Sequence, residues 1–494
     1  MKPTNLLFIM SDEHDPRYMG CSGHPIWSSL MHTPAMDALA SRGTRFTSSY
    51  TTCPICVPAR ASFATGRYVH EIGYWDNAMA YDGRVRGWGH ALQDSGIPVE
   101  SIGKLHYRKT EDPTGFDRQH KPMQIWEGIG MVWGSNRRPL EKAWKEGRSS
   151  GIPRVRLYTK IGPGESGYNR YDREVADLTI DWLERHASST QEEEKPWILF
   201  VGFVAPHFPL VVPQAFYDLY PIERLPFPKL HPRDGHTTHP WHFAFGLRDQ
   251  EFETDEQRMQ AMAAYLGLCS YLDHQIGRIM DALDQTGLSQ NTRVVYTSDH
   301  GENLGARGLW GKSCLYQEST SVPFIIAGPD IPAGQEVETP VDFIDFHPTI
   351  LDAVGMNPDE QEISSKGRSL FQILKEPYDD QRIAFSEYHA AGSPSGAFML
   401  RRGRYKYHYY VGFEPELFDL IEDPEETRNL ATDPQYKGLL ETFETSLREI
   451  CNPEEIDRKA KEDQDALIER FGGPEKARSV GTPGATPVPG GTHE

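Results

Sequence analysis

Seven side chains able to do acid–base, electrostatic or metal chemistry stand where short apolar runs end. Residues 6–10 run into Ser11-Asp12-Glu13, and residues 98–102 into Gly103-Lys104-Leu105-His106. Residues 197–204 run into Ala205-Pro206-His207, and residues 293–297 into Ser298-Asp299-His300-Gly301. Asp12, Glu13 and Asp299 offer hard oxygen donors, His300 a nitrogen, and Lys104 a positive charge; His106 and His207 are imidazoles that titrate near neutral pH. Each alone reads as a capping carboxylate or a surface histidine. Four strand ends of one kind predict a shared site, because ligands of open α/β sheets bind beyond the carboxyl ends of the strands. A second cluster is Cys56-Val57-Pro58-Ala59-Arg60, closed by Thr65-Gly66-Arg67. It sets a nucleophile just before a helix expected to begin near Arg60, where backbone N–H groups favour an anion.

These residues require a scaffold that brings distant strand ends together. Short branched or aromatic runs at 6–10, 98–102, 197–204, 293–297 and 323–326 read as buried strands. Helical patterns at 33–42, 60–65, 170–186 and 254–285 alternate with them, which predicts an α/β fold with a large mixed, mostly parallel sheet flanked by helices. Pro34 suits a first helical turn and Gly43 a helix end. Beyond a boundary near 376–380, strand-like pieces at 382–389, 397–401 and 404–410 and a helix near 435–451 predict a smaller C-terminal α+β domain with an antiparallel sheet. The expected division is 1–376 catalytic, 377–450 C-terminal subdomain, and 451–494 an extended tail at an oligomer interface. From Ser479 the chain is rich in Gly, Pro and Thr and carries too little apolar surface to fold alone.

Composition narrows the function. The 494 residues carry a formal net charge of −20, which argues against a nucleic-acid partner, since phosphate backbones need clustered Lys and Arg. Mean hydropathy is −0.57, and no apolar run approaches the roughly 20 residues that cross a bilayer, so no membrane partner is expected. The apolar stretch near the N-terminus is too short for an export signal and lacks a small-residue cleavage site. A cytoplasmic protein is therefore expected, with Cys21, Cys53, Cys56, Cys269, Cys314 and Cys451 as thiols.

The Cys56-x-Pro-x-Arg60 and Thr65-Gly66-Arg67 pair resembles the modification motif of the formylglycine-dependent sulfatases, which share the alkaline-phosphatase-like fold. The resemblance extends over roughly residues 4–450: Thr33-Pro34 through Phe46, Gly103-Lys104-Leu105-His106, Ser298-Asp299-His300-Gly301, Gly308-Leu309-Trp310-Gly311-Lys312, Asp345 with Pro348-Thr349, and Leu417-Phe418-Asp419-Leu420. The Ser298-Asp299-His300-Gly301 and Gly308-Leu309-Trp310-Gly311-Lys312 loops resemble choline sulfatases and bacterial alkyl- or arylsulfatases, and the segment from Cys451-Asn452-Pro453 resembles the choline-sulfatase tail. Two departures stand out: Ala59 where Ser is commonest, and Glu13 where Asp, Asn or Gln is usual.

The resemblance implies hydrolysis of a small-molecule sulfate monoester. Cys56 would be oxidised by a maturation enzyme to formylglycine, whose hydrate attacks sulfur and gives a covalent sulfoenzyme. Asp12, Glu13, Asp299 and His300, with residue 56, would hold a divalent metal, Ca²⁺ in preference to Mg²⁺ or Mn²⁺. Arg60 would stabilise the hydrated aldehyde, and Lys104 and Lys312 would balance charge on the sulfate. His207 and Lys312 are the expected proton donors to the leaving oxygen, His106 the expected base for sulfate elimination. Asn77 would touch a substrate oxygen or serve as an ordinary turn residue. A homo-oligomer is expected through the tail.

Two rivals remain. A phosphonate monoester or phosphodiester hydrolase of the same superfamily would share Asp12, Cys56, Asp299, His300 and Lys312, but Lys104 and His106 favour sulfate. A non-catalytic binding protein on this scaffold would have lost part of the catalytic set, and none is missing. Cys53-Pro54-Ile55-Cys56 looks like a redox pair but shares Cys56 with the stronger motif. His231, His236, His239 and His242 read as a substrate-facing or interface loop rather than a metal site. Tyr405, Tyr407, Tyr409 and Tyr410 read as core or interface strand residues, and 359–362 and 422–426 as acidic surface runs.

Overall fold

The computed structural model describes residues 2–136, 158, 160–188, 195–245, 252–358, 365–482 and 485–490. The acidic run at 359–362 lies outside them. Strand β1 (Asn5–Asp12) is buried along its whole length at the centre of an eight-stranded sheet. The other strands are β2 (Gly43–Phe46), β3 (Val99–Lys104), β4 (Arg118–Met123), β5 (Ile198–Pro206), β6 (Thr292–Ser298), β7 (Phe324–Ala327) and β8 (Gln335–Val337). Their order is β8-β2-β7-β6-β1-β5-β3-β4. β1 runs parallel to both β5 and β6, and β3 runs parallel to β5 and β4. Only β7 breaks direction, pairing antiparallel with β6 and with β2. The four polar strand ends of the sequence belong to β1, β3, β5 and β6, so they emerge at one edge of the sheet.

Strand alternation divides the core into two layers. Leu7 and Ile9 face a cluster with helices α1 (Pro34–Arg42), α3 (Gly167–Ala187) and α4 (Asp255–Gln285). Leu6, Phe8 and Met10 face a second cluster with α2 (Cys56–Thr65) and α5 (Phe346–Ala353). A sheet covered on both faces explains why its strands read as continuous apolar runs. Thr254 caps α4 by accepting the Gln257 N–H at 3.2 Å, beside two acidic first-turn residues.

A separate antiparallel sheet follows: β9 (Ile383–Tyr388), β10 (Ala397–Arg402), β11 (Tyr405–Tyr410) and β12 (Glu416–Asp419), in sequence order. Helix α6 (Lys437–Ile450) packs Phe443 and Leu447 into its core, where Tyr407 and Tyr410 are also buried. Two residues of the histidine loop, His239 and His242, dock on this sheet. His239 stacks on Tyr410 at 4.6 Å, and burial pushes His242 down to about 3.

Two expectations change. α2 begins at Cys56 rather than near Arg60; Pro58 falls in its first turn, where no backbone N–H is needed. The segment from 451 is not an extended tail throughout. Asn452 caps an 18-residue helix, α7 (Pro453–Arg470), whose Ile456, Ala460, Gln464, Leu467 and Ile468 form a buried stripe. Residues 482 and 486 then pack back on this chain's own catalytic face. No helix among the described residues is long and apolar enough to cross a membrane.

Candidate active site

The site assembles at the carboxyl edge of β1, β3, β5 and β6, against the N-terminus of α2. Glycines make the close approach possible. A Cβ on Gly103 would stand 2.2 Å from the Gly202 carbonyl, and one on Gly202 would stand 2.0 Å from that of Lys104. β3 and β5 therefore deliver Lys104 and the His207 turn side by side. Glu13 (φ 70°) and His106 (φ 60°) sit in the left-handed region that non-glycine residues avoid, as is common where a chain is held for function.

Cys56 Sγ lies 3.2 Å from His300 Nε2 and 3.6 Å from Asp12 Oδ1. His300 Nε2 lies 3.6 Å from one carboxylate oxygen of each of Asp12 and Asp299. Ligand atoms of Asp12, Cys56, Asp299 and His300 all fall within 4.8 Å of one another, and all four residues are buried. That spacing suits donors around one cation bound at about 2.3–2.6 Å. Two buried carboxylates converging on one point are costly without such a charge, so the residues present fit a divalent ion. Glu13 belongs to a neighbouring group instead, with Asp12 and His207, whose atoms also lie within 4.8 Å of one another.

Three cations surround this set. Lys104 Nζ is paired with Asp12. Arg60 donates to Asp299 at 2.8 Å, to the Lys104 carbonyl at 3.0 Å and to the Ser11 carbonyl at 3.3 Å, which ties α2 to the ends of β1, β3 and β6. Lys312 Nζ lies 3.1 Å from Glu13, and His207 Nε2 lies 3.5 Å from the same oxygen. Burial alone would raise the Asp12 carboxyl, but Lys104, His207, Lys312 and His300 hold it well below the usual carboxylate range. Burial pushes the Cys56 thiol up, and Asp12 adds to the effect, so the unmodified thiol is a poor nucleophile. Burial opposes the charge of Lys312, yet Cys56, Glu13 and Asp12 raise its pKa and keep it protonated. Burial lowers His106 and His207, with Lys104 adding for the first and Lys312 for the second, so both rings are neutral.

Asn77 stands beside residue 56, but its carbonyl oxygen accepts the Val57 N–H at 3.2 Å, which occupies it in capping α2. Several neighbours gave no sequence signal. Glu302 is buried against Glu13; its Oε1 accepts the Gly311 N–H at 2.6 Å and the Leu304 N–H at 2.7 Å. Ser298 accepts the His14 N–H at 2.9 Å and donates to the His300 carbonyl at 3.0 Å, locking together the loops that carry Asp12 and Asp299. Tyr168 and Thr486 close the side next to His106. Ser298 lay inside the recognised loop; Glu302, Tyr168 and Thr486 follow only from the fold. All six cysteines are free, and Cys53 is buried.

A doubly covered α/β sheet with a cysteine at the start of a helix facing a two-carboxylate, one-histidine cluster defines an alkaline-phosphatase-like hydrolase. The sulfatase family profile matches residues 4–356, and that of the N-sulphoglucosamine sulphohydrolase C-terminal region matches 305–452. The chain belongs to the sulfatase family and is a sulfuric ester hydrolase. It is 32% identical over 439 residues to a choline-sulfatase of Rhizobium meliloti, covering 87% of this chain and 83% of that one. It is 27% identical over 480 residues to arylsulfatase K of Canis lupus familiaris, covering 91% and 82%. Among solved structures, the phosphonate monoester hydrolase of Agrobacterium radiobacter superposes with a TM-score of 0.71 at 25% identity, covering 90% of this chain and 95% of that one. A 2-O GAG sulfatase superposes with a TM-score of 0.69 at 22% identity, covering 100% and 98%, a likeness of fold alone.

Proposed function

We propose that this chain hydrolyses small-molecule sulfate monoesters through a formylglycine made from Cys56 by a maturation enzyme, with a divalent metal held by Asp12, Asp299, His300 and residue 56. The observation that carries this reading is the convergence of the Cys56 side chain on the buried ligand atoms of Asp12, Asp299 and His300. Asp12, Asp299 and converted residue 56 would supply oxygen donors, which favours Ca²⁺ over Mg²⁺ or Mn²⁺. Glu13 is the outer member of this set. A bound metal would supply Lewis acidity toward the sulfuryl oxygens, and an aldehyde hydrate at position 56 would supply the nucleophile.

The chain's own residues do the rest. Arg60 is locked by three acceptors and fixes the height of residue 56 over the sheet edge. Lys104 and Lys312 flank the site and offset charge on the sulfate oxygens. Lys312, kept protonated by its carboxylate neighbours, is the better proton donor to the leaving oxygen; neutral His207 is the better hydrogen-bond partner for it. Neutral His106 accepts the proton that must leave position 56 when sulfate is expelled. Asn77 acts on substrate only through the helix it caps. Only the outward-facing side of the segment from 451 is left to serve as an oligomer contact, and the enzyme works in the cytoplasm.

Mass spectrometry across 55–60 after co-expression with a maturation enzyme tests the nucleophile; an unconverted Cys56 in fully active protein would end the proposal. A phosphonate monoester hydrolase is the second reading, favoured by the structural likeness at 25% identity. Lys104 and His106, both in the pocket, favour sulfate. A higher kcat/KM for an aryl phosphonate than for the matching aryl sulfate would reverse the order.

A further inference from the structure

His106 is held by a part of the chain that no catalytic strand supplies. It is buried at the end of β3, and its two ring nitrogens have unlike surroundings. Nε2 lies 2.9 Å from Thr486 Oγ1, whereas Nδ1 is buried without a hydrogen-bond partner among the described residues. The charges acting on the ring are those of Lys104, Asp12, Arg60 and His207, all members of the pocket.

Thr486 is itself fixed. Its carbonyl accepts the Tyr168 hydroxyl at 2.5 Å. Four residues earlier, the Thr482 carbonyl accepts the Trp133 indole N–H at 2.7 Å, and the Thr482 N–H donates to the Gly130 carbonyl at 3.1 Å. Ala485 and Val488 pack on the main core, and Val480 on the cluster that α7 forms with Val132. Thr482 is 1% exposed and Thr486 9%.

We propose that Thr486 is a positioning residue: its hydroxyl accepts the Nε2–H of His106 and so fixes the neutral tautomer in which Nδ1 carries the lone pair. The direction follows from the cost of the alternative. If the hydroxyl donated to Nε2, the ring proton would sit on Nδ1, buried and facing no acceptor among the described residues. A buried unsatisfied donor costs about 1–3 kcal/mol. In the chosen arrangement Nδ1 is only an under-used acceptor, the milder defect. The threonine O–H rotates about its C–O bond and so is not tied to the ring. That leaves the Nδ1 lone pair as the basic site of the ring while Nε2–H stays on Thr486. The inference rests on His106 as the base proposed above. It makes a Gly-, Pro- and Thr-rich tail part of the catalytic apparatus.

The test uses the full chain labelled with [¹⁵N]histidine and carrying unconverted Cys56, so that it does not depend on turnover. Two-bond ¹H–¹⁵N correlation, with His106 assigned by its loss in His106→Gln, is expected to show the Nε2–H tautomer. Thr486→Val should mix the tautomers and Thr486→Ser should restore one. In converted enzyme, Thr486→Val should lower kcat about 10-fold, the lower end of what lost orienting partners cost, with KM nearly unchanged and with Thr486→Ser close to wild type. Hydrogen exchange at 480–488 should stay protected in Thr486→Val, which separates orientation from undocking. An Nδ1–H tautomer in the wild-type chain overturns the inference, as does a Thr486→Val enzyme with unaltered tautomer and kcat. If His106→Gln keeps full kcat while the tautomer result stands, the base assignment fails and the positioning contact does not.

Discussion

Two dense clusters of buried charge, one at the active site and one around Glu318, are built on opposite rules. Around Glu318, Arg17 lies at 3.2 Å, Arg307 at 3.1 Å and Lys229 at 2.6 Å. Asp15 and Glu425 complete the pairing of Arg17, and Glu425 that of Lys229. Three carboxylates there face three cations, and Arg307 also lies over the Tyr316 ring at 3.9 Å. In the active site, four carboxylates (Asp12, Glu13, Asp299 and Glu302) face Arg60, Lys104 and Lys312. The first cluster is closed and acts as a staple between the β1 loop, the 317–318 turn and residue 425. The second has one carboxylate more than it has cations, burial raises the Glu13 and Glu302 carboxyls, and its ligand atoms aim at a common point. Buried charge by itself therefore does not mark a site; an unbalanced set with convergent donors does.

The largest expected effect comes from the unbalanced cluster. Asp299→Asn removes a ligand and the partner of Arg60, and should lower kcat/KM by about 10³-fold or more. Because it strips buried Arg60 of a partner at 2.8 Å but leaves Arg60 its two carbonyl acceptors, the metal-free variant should lose less stability than Glu318→Gln does. Calorimetry after exhaustive chelation checks this; a loss as large as that of Glu318→Gln would mean that the two clusters obey the same rule.

The closed cluster should answer in the opposite sense. Glu318→Gln leaves Arg17, Lys229 and Arg307 crowded around a neutral side chain, and removing one partner of a buried pair costs about 3–5 kcal/mol. Chemical denaturation should show that loss, while the folded variant keeps kcat within a few-fold. Loss of activity without loss of stability would merge the two clusters into one functional unit.

Metal removal sharpens the contrast further. An ion present at 100 times its dissociation constant stabilises the native state by about 2.7 kcal/mol. Chelation should lower the melting temperature of wild type and of Glu318→Gln by equal amounts, and leave Asp299→Asn nearly unmoved. Equal shifts in all three proteins would place the ion elsewhere.

The two walls of the pocket differ in how far the sequence reveals them. Asp12, Lys104, His207 and Asp299 were legible because each ends a buried strand, and a strand covered on both faces writes itself as an apolar run with a sharp polar stop. The start of α2 was not, because Pro58 looks like a barrier although a first turn tolerates it. α7 did leave a trace, in Asn452-Pro453 and the spacing of Ile456, Ala460, Leu467 and Ile468, masked by its many charges. Thr486 left none. A Gly- and Pro-rich segment has no period, and its place is set by Trp133, Gly130 and Tyr168, residues some 320–360 positions away that a local reading cannot connect to it. β2 and β8 were missed for the same reason, being short edge strands defined by pairing rather than by pattern.

Acid is the mildest way to separate the clusters. Burial would raise Glu425, but His24, Arg17 and Lys229 bring it down to about 2. Its folded pKa lies below the unfolded value, so its contribution is fully present above about pH 4.5 and is lost as the pH falls towards 2. The full shift corresponds to about 3 kcal/mol. With its side chain 31% exposed, solvent screening reduces this to about 2 kcal/mol. Glu425→Gln should therefore be less stable than wild type at pH 7, and the two stability curves should converge between pH 4.5 and 2. If the Glu425→Gln curve stays parallel to wild type instead, residue 425 is a bystander, and the staple consists of Glu318 and its three cations alone.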